Sequence, residues 1–309
     1  MGHNDWVATP VLVLNGPTAS GKTALAVRVA QLLQASGRPA EIVNADSMLV
    51  YRGMDIGTAK PTLAERGGIT HHLIDVLEIT DTASVADFQR LARDAIADCR
   101  NRGVTPILVG GSALYVHAIL DRFDFPGTDP VVRARLETEL SEVGPTELHS
   151  RLIRLAPEAA AEILPGNGRR IVRALEVLEL TGTWRASLPE WSYAVDEVRQ
   201  WGLELPRELL DERIDARVDR MWADGLLSEV RTLTARGLRE GRTASRALGY
   251  RQLLAHLDGT LTEQQAKEQT ISGTRRFARK QLGWFRRDPR VEWLPALQDG
   301  LAERIVAAL

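Results

Sequence analysis

Lys22 and Thr23 close the octapeptide Gly16-Pro17-Thr18-Ala19-Ser20-Gly21-Lys22-Thr23, in which an ammonium and a hydroxyl follow a glycine-rich turn. The glycines let the chain turn tightly enough for successive N–H groups to aim at one anion. Lys22 then offers a point charge to terminal phosphates, and the Thr23 hydroxyl a ligand to magnesium. All eight residues are candidate ligands of a phosphorylated group. Further along, Asp46 follows the strand-like run Glu41-Ile42-Val43-Asn44-Ala45. Facing such a cradle, its carboxylate has two chemical uses: it holds magnesium through water, or it takes a proton from a nucleophile attacking beside the phosphates. A helix cap or a turn is the non-chemical alternative. A phosphate cradle does not by itself select a reaction, because kinases, NTPases and transferases all use one.

Cations gather in two other places. Arg213, Arg217 and Arg220 are spaced as one stripe of a helix, with Asp215 and Asp219 forming a second stripe, the pattern of a solvated helix laced with ion pairs. Residues 275–290 carry Arg275, Arg276, Arg279, Lys280, Arg286, Arg287 and Arg290 against Asp288 alone, with Trp284 and Phe285 interleaved. Such a patch suits the phosphates of a folded RNA, and its aromatics stack on bases or pack in the core, the latter being the preferred reading of Trp284. His71 and His72 have too few neighbouring ligands for a metal site and are read as structural.

The elements that must position these residues follow from periodicity. Val11-Leu12-Val13-Leu14 reads as a buried strand leading into the cradle, and Leu25, Val29, Leu32 and Leu33 recur behind it at helical spacing. Strands are expected over 41–46, over 71–77, over 106–111 and over 198–205, with a last edge strand at 290–294. Helices are expected over 85–102, over 207–236, over 245–257 and over 263–287, the last opened by a Thr262/Gln265 capping box. Alternation of apolar strands with helices predicts an α/β fold, a parallel sheet covered by helices on both faces. Its ligands collect at the carboxyl ends of the strands, where Gly16, Asp46 and Gly110 all fall. From Val131 to Thr181 the pattern is wholly helical. We therefore expect a catalytic core over 1–125 and 195–309, and a small all-helical insertion over 126–194.

With 309 residues, 44% of them apolar and 26% charged, the chain has the composition of a globular protein with a full core. No apolar run approaches the ~18 residues of a membrane span. The first residues lack a charged region followed by an apolar stretch, so no export is expected. Cys99 is the only cysteine, which excludes an internal disulfide and fits a reducing cytoplasm. A net charge of −2 leaves any nucleic-acid binding to local clusters. Nothing resembles a dimerisation stripe, so a monomer is expected.

The segments GPTASGKT, ADSMLVYRGMDIGTAKP, HHLID, LVGGSALY, RRIVRALEV and ALGYRQ occur in that order between about residues 10 and 288. Together they resemble the bacterial tRNA dimethylallyltransferase (tRNA isopentenyltransferase) family, whose fold is a P-loop NTPase-like sheet. The resemblance implies transfer of a dimethylallyl group from dimethylallyl diphosphate, with Mg2+, to the exocyclic amine of the adenosine 3′ of the tRNA anticodon. Asp46 matches the family's catalytic acid, Arg217 an arginine near the diphosphate, and Lys22 and Thr23 complete the catalytic set. The adenine must leave its stack and enter a channel, to which Met48 and Tyr51 are expected to contribute. The anticodon stem-loop is expected to meet Asp46, Ser47, Met48, Leu49 and Ser112 at the channel. Arg133, Arg169, Arg170, Ile171, Val172 and Arg173 are expected to meet it in the insertion, and Arg246, Gly249, Tyr250, Arg251, Arg275 and Arg276 elsewhere. Ser112 stands where relatives usually carry Thr, and keeps the hydroxyl. Leu49 stands where many carry Gln, and cannot hydrogen-bond an adenine edge.

Two other readings stay open on the residues. A nucleoside or small-molecule kinase would use Lys22 and Asp46 to bind ATP, but would have no use for the 275–290 patch. A non-enzymatic, nucleotide-sensing RNA binder would have no use for an acid at Asp46.

Overall fold

The computed structural model describes residues 9–123, 125–184 and 191–309. Six strands form one sheet in the order β3-β2-β4-β1-β5-β6, every neighbouring pair parallel. In chain order they are β1 (Val11–Asn15), β2 (Ala40–Asn44), β3 (His71–His72), β4 (Thr105–Gly110), β5 (Val198–Glu204) and β6 (Glu292–Pro295). Side chains alternate across a strand, and β1 shows the consequence. Val11 and Val13 enter one core with Val43 and Leu108, while Leu12 and Leu14 enter the other with Ile42 and Ile107. The second core is closed by α1 (Lys22–Ala35) and α11 (Leu301–Ala307). The first is closed by α2 (Val85–Asn101), α3 (Ala113–Leu120), α8 (Leu226–Ala235), α9 (Tyr250–Leu257) and α10 (Glu263–Phe285). A sheet buried on both faces requires the continuous apolar strands seen in the sequence.

Several boundaries differ from those expected. The strand at 71–77 stops after two residues, and Leu77 instead bridges Tyr51. The helix expected over 207–236 is two, α7 (Arg207–Ala223) and α8, because Gly225 takes φ +96°, a conformation that ends α7 and starts a new axis. The helix expected over 245–257 is a 3-10 turn at Ala244–Arg246 followed by α9. Helices α3 and α11 were not foreseen. The capping box forms as expected: Thr262 accepts from the Gln265 amide, and Gln265 accepts from the Thr262 amide.

The chain divides into two compact units: one runs to Asp121 and resumes at Tyr193, and the other is Arg122–Ser192. The division lies four residues before the expected start at 126 and two before the expected end at 194, with Asp121 and Tyr193, which bridge each other, both in the larger unit. Arg290 holds both: it donates to the two Asp121 oxygens at 2.6 and 2.9 Å and covers the Tyr193 ring at 3.9 Å. The smaller unit consists of α4 (Pro130–Leu155), kinked at Gly144, with α5 (Pro157–Glu162) and α6 (Gly168–Thr181), and it has its own apolar core. Its buried Glu176 accepts from Thr128, Arg133 and Arg173.

Candidate active site

Strand β1 ends at Asn15 and the chain turns through Gly16–Gly21 into α1, so Lys22 and Thr23 occupy its first turn. The Lys22 ammonium donates to the Pro17 carbonyl at 3.1 Å. Burial pushes its amine down to about 8; the Asp46 charge opposes that shift and Arg217 adds to it. Strand β4, paired with β1, and β2 beyond it deliver the other two loops, and Asn44 organises the one after β2. Its side chain accepts from the Asp46 amide at 2.8 Å and donates to the Asp46 and Leu73 carbonyls. The Asp46 carboxylate then accepts from the Met48 amide at 2.9 Å. Ser112 caps α3 after the Gly110–Gly111 turn. Helix α7 crosses this edge, and Arg217 donates to the Thr18 hydroxyl at 2.9 Å. Burial lowers the Arg217 guanidinium from its usual range, against the attraction of Asp46.

Three cavities share these groups. The largest, about 660 Å³, is lined by Thr18, Asp46, Ser47, Met48, Ser112, Arg217, Arg246, Arg251, Arg276, Phe277 and Lys280 among others. A second, about 360 Å³, is lined by Ala19, Gly21, Lys22, Thr23, Arg213, Arg217 and Arg220. A small one, about 60 Å³, is walled by Thr18, Lys22, Thr23, Asn44, Asp46, Leu49, Gly110 and Arg217. Arg217 lines all three. Gly57 and Thr58 also wall the large cavity. They are held there by Glu229, which accepts the amides of Asp55, Ile56 and Gly57 and the Tyr250 hydroxyl. Lys60, buried, adds bonds to Asp55, Asp75 and the Tyr51 carbonyl. The sequence run from Gly53 to Pro61 thus shapes a wall.

Several expected contacts lie elsewhere. Tyr51 and Tyr250 are 0% exposed and pack in the core, so neither ring reaches a ligand, and Gly249 serves as the N-cap of α9. Ile171 and Val172 are buried in the core of the smaller unit. Arg133 and Arg173 are committed to Glu176, whereas Arg169 and Arg170 are exposed on α6. Arg275 pairs with Asp215 and Lys267 with Asp219, so these two acids of α7 tie it to α10. Arg290 leaves the basic patch for its buried bonds to Asp121 and Asp288. Trp284 is half-buried under the Arg287 guanidinium, and Phe285 is core. His72 bonds Glu41 at 2.7 Å beside Cys99, outside the three cavities. Burial and the Glu41 charge push the Cys99 thiol up to about 12, and Arg102 already neutralises Glu41, so this cluster is structural.

Conversely, Arg213, Arg220 and Phe277 line these cavities although the sequence reading did not place them there, and Lys280 of the basic patch lines the largest of the three. The stripe of Arg213 with Arg217 was visible. What was missing was the face of α7 that meets the cradle. Phe277, 43% exposed, lies one residue from Arg276 and lines the same cavity.

The family model for IPP transferase matches residues 49–288. A tRNA dimethylallyltransferase of Kineococcus radiotolerans is 62% identical over 307 residues, covering 97% of this chain and 96% of its own. That of Cutibacterium acnes is 56% identical, covering 99% and 96%. Among solved structures, the tRNA isopentenylpyrophosphate transferase of Bacillus halodurans is 37% identical with a TM-score of 0.71, covering 97% of this chain and 95% of its own. A eukaryotic dimethylallyltransferase captured acting on tRNA is 25% identical with a TM-score of 0.78, covering 97% and 78%. The all-parallel sheet, the cradle at its edge and these likenesses together place the chain in the IPP transferase family, with its P-loop NTPase-like fold.

Proposed function

We propose that this protein transfers a dimethylallyl group from dimethylallyl diphosphate to the exocyclic amine of the adenosine 3′ of a tRNA anticodon. One observation carries the reading: Asp46 borders both the small cavity holding Lys22 and Thr23 and the large cavity rimmed by Arg246, Arg251, Arg276 and Lys280. A carboxylate between a phosphate cradle and a large basic cavity suits an amine attacking beside a diphosphate. The allylic carbon–oxygen bond breaks, its electrons leave with diphosphate, the carbon–nitrogen bond forms, and the amine proton passes to Asp46. Lys22, Arg217 and the loop amides offset charge on the departing diphosphate, and Arg213 and Arg220 line the second cavity beside Lys22 and Thr23. The Thr23 hydroxyl, which lines the small cavity, is the hard oxygen donor that would hold magnesium there. Magnesium bound there would add positive charge beside the diphosphate.

Met48 and Ser112 are assigned to the adenine end of the large cavity. Leu49 borders the small one, so recognition of the adenine edge falls to backbone and to Ser112. Arg169 and Arg170 are assigned to tRNA in the smaller unit, and Arg246, Arg251 and Arg276 in the larger. Among the described residues no helix is long and apolar enough to cross a membrane, and we place the enzyme in the cytoplasm with its tRNA. A kinase reading leaves the large basic cavity unused. Incubation with labelled dimethylallyl diphosphate and unmodified tRNA, with ATP as control, tests the assignment. Label moving to RNA without ATP is the expected result. ATP consumption without RNA labelling would overturn it.

A further inference from the structure

Gln281 is buried inside α10, yet its carboxamide serves two loops of the larger unit. Its oxygen accepts from the Thr18 amide at 2.9 Å, and its nitrogen donates to the Gly111 carbonyl at 2.7 Å. The seat is cleared for it, because a Cβ at residue 111 would stand 2.5 Å from the Gln281 nitrogen. A neutral side chain already bonded at both ends contributes nothing to phosphate charge. Its work is to fix the Gly16–Thr23 loop and the Gly110–Gly111 turn relative to α10. Thr18 is tied a second time, through its hydroxyl, to Arg217 on α7. On α10 itself, Arg276, Phe277 and Lys280 line the large cavity within the turn or so before Gln281. Whatever shifts or stiffens α10 from that cavity therefore acts on both loops that border the small one.

We infer that Gln281 is a positioning residue that couples RNA occupancy of the large cavity to the cradle's grip on diphosphate, so that each ligand tightens the other. The inference deepens the tRNA reading above and rests on it. A coupling of this kind is reciprocal: the factor by which RNA improves diphosphate binding equals the factor by which diphosphate improves RNA binding. It needs no large movement, since stiffening α10 once lowers the cost of ordering the loops a second time.

Calorimetry with inorganic pyrophosphate and an unmodified anticodon stem-loop reads the factor directly. Saturating RNA should tighten pyrophosphate binding by about fivefold or more in the wild type, the lower end of typical couplings. In Gln281→Met, which keeps the volume and loses both bonds, the factor should fall to near one. Each ligand alone should still bind within about threefold of wild type; the melting temperature should fall by only a few degrees for the two lost bonds, with the fold kept, so that loss of the coupling is not mere loss of structure. If the Met variant folds poorly, Gln281→Glu serves instead: it keeps the acceptor toward Thr18, loses the donor toward Gly111, and should also lower the factor. A wild-type factor of one, or an undiminished factor in the variant that folds, overturns the coupling while leaving the tRNA reading intact. Failure of the wild type to bind the stem-loop at all overturns both.

Discussion

Replacing Asp46 by Asn isolates the proton-accepting role from the architecture. The amide oxygen of Asn can still accept from the Met48 amide, now bonded to Asp46 at 2.9 Å, and the Asn44 bonds to the backbone of residue 46 are untouched. What disappears is the basic carboxylate. A positioned general base is worth about 10²–10⁴ in rate, equivalent to about 2.7–5.4 kcal/mol of barrier, and single-turnover prenyl transfer should slow by that much. Diphosphate binding should respond differently. The Asp46 charge props up the protonated form of Lys22 against burial, so its removal lets the Lys22 amine fall further below about 8. At pH 7 pyrophosphate affinity should stay within about threefold of wild type. Its loss on raising the pH should begin earlier in the variant. Quenched-flow transfer and calorimetric pyrophosphate titration, both from pH 6 to pH 10, supply the two readouts. Unchanged transfer would remove Asp46 from the chemistry, and a collapse of pyrophosphate affinity matching that of the rate would make it a binding residue.

In the wild type, Lys22 is charged below about 8 and neutral above it, so pyrophosphate affinity should weaken as pH rises through 8. Lys22→Met should flatten that profile; an unchanged slope would assign it to another group. Charge reversal at Arg276 and Lys280, which line the large cavity, should weaken stem-loop binding and flatten its salt dependence. Reversal at Arg275, paired with Asp215, should chiefly lower the melting temperature, and equal salt slopes for the two variants would refute the distinction. Burial pushes the Glu176 carboxyl up, but bonds from Arg133, Thr128 and Arg173 outweigh it and hold the group down at about 2. Its stabilisation is thus present above the ordinary 4.5 and lost as pH falls toward 2. Glu176→Gln, which removes the charge facing Arg133 and Arg173 but keeps an acceptor oxygen, should cost about 1.5–3 kcal/mol by urea denaturation at pH 7. A loss under 1 kcal/mol would show the cluster relaxes freely.

The phosphate cradle, its strand and its helix were legible because glycine placement and apolar periodicity are local signals. The parallel sheet followed from alternation, and the order of its loops put Gly16, Asp46 and Gly110 at one edge. Side-chain destinations were less legible. Arg133, Arg275 and Arg290 read as surface cations, yet each meets a carboxylate more than forty residues away, and sequence spacing carries no trace of such partners. Tyr51 and Tyr250 sit inside polar motifs, which concealed that their rings are core. Arg213 and Arg220 were seen as a stripe but not as cavity walls, since orientation of α7 is a tertiary fact. Gln281 carries no local signal that separates it from the other polar residues of α10, because both of its partners lie more than 150 residues away. Helix α3 escaped because Ala113–Leu120 is apolar on nearly every side, which blurs the period.

The neck at Asp121 and Tyr193 has a consequence for how such a chain can be built. The two points where the polypeptide departs and comes back already lie side by side, cross-linked by a backbone bridge and stapled from beneath by Arg290. Among the described residues, every strand of the sheet pairs within the larger unit, and none comes from the seventy-odd residues hung between them. A short peptide spliced across that gap would leave every β-strand with its partners. Module size is thereby uncoupled from scaffold integrity: the inserted helices could be lengthened, trimmed or exchanged with the strand pairing of the sheet kept.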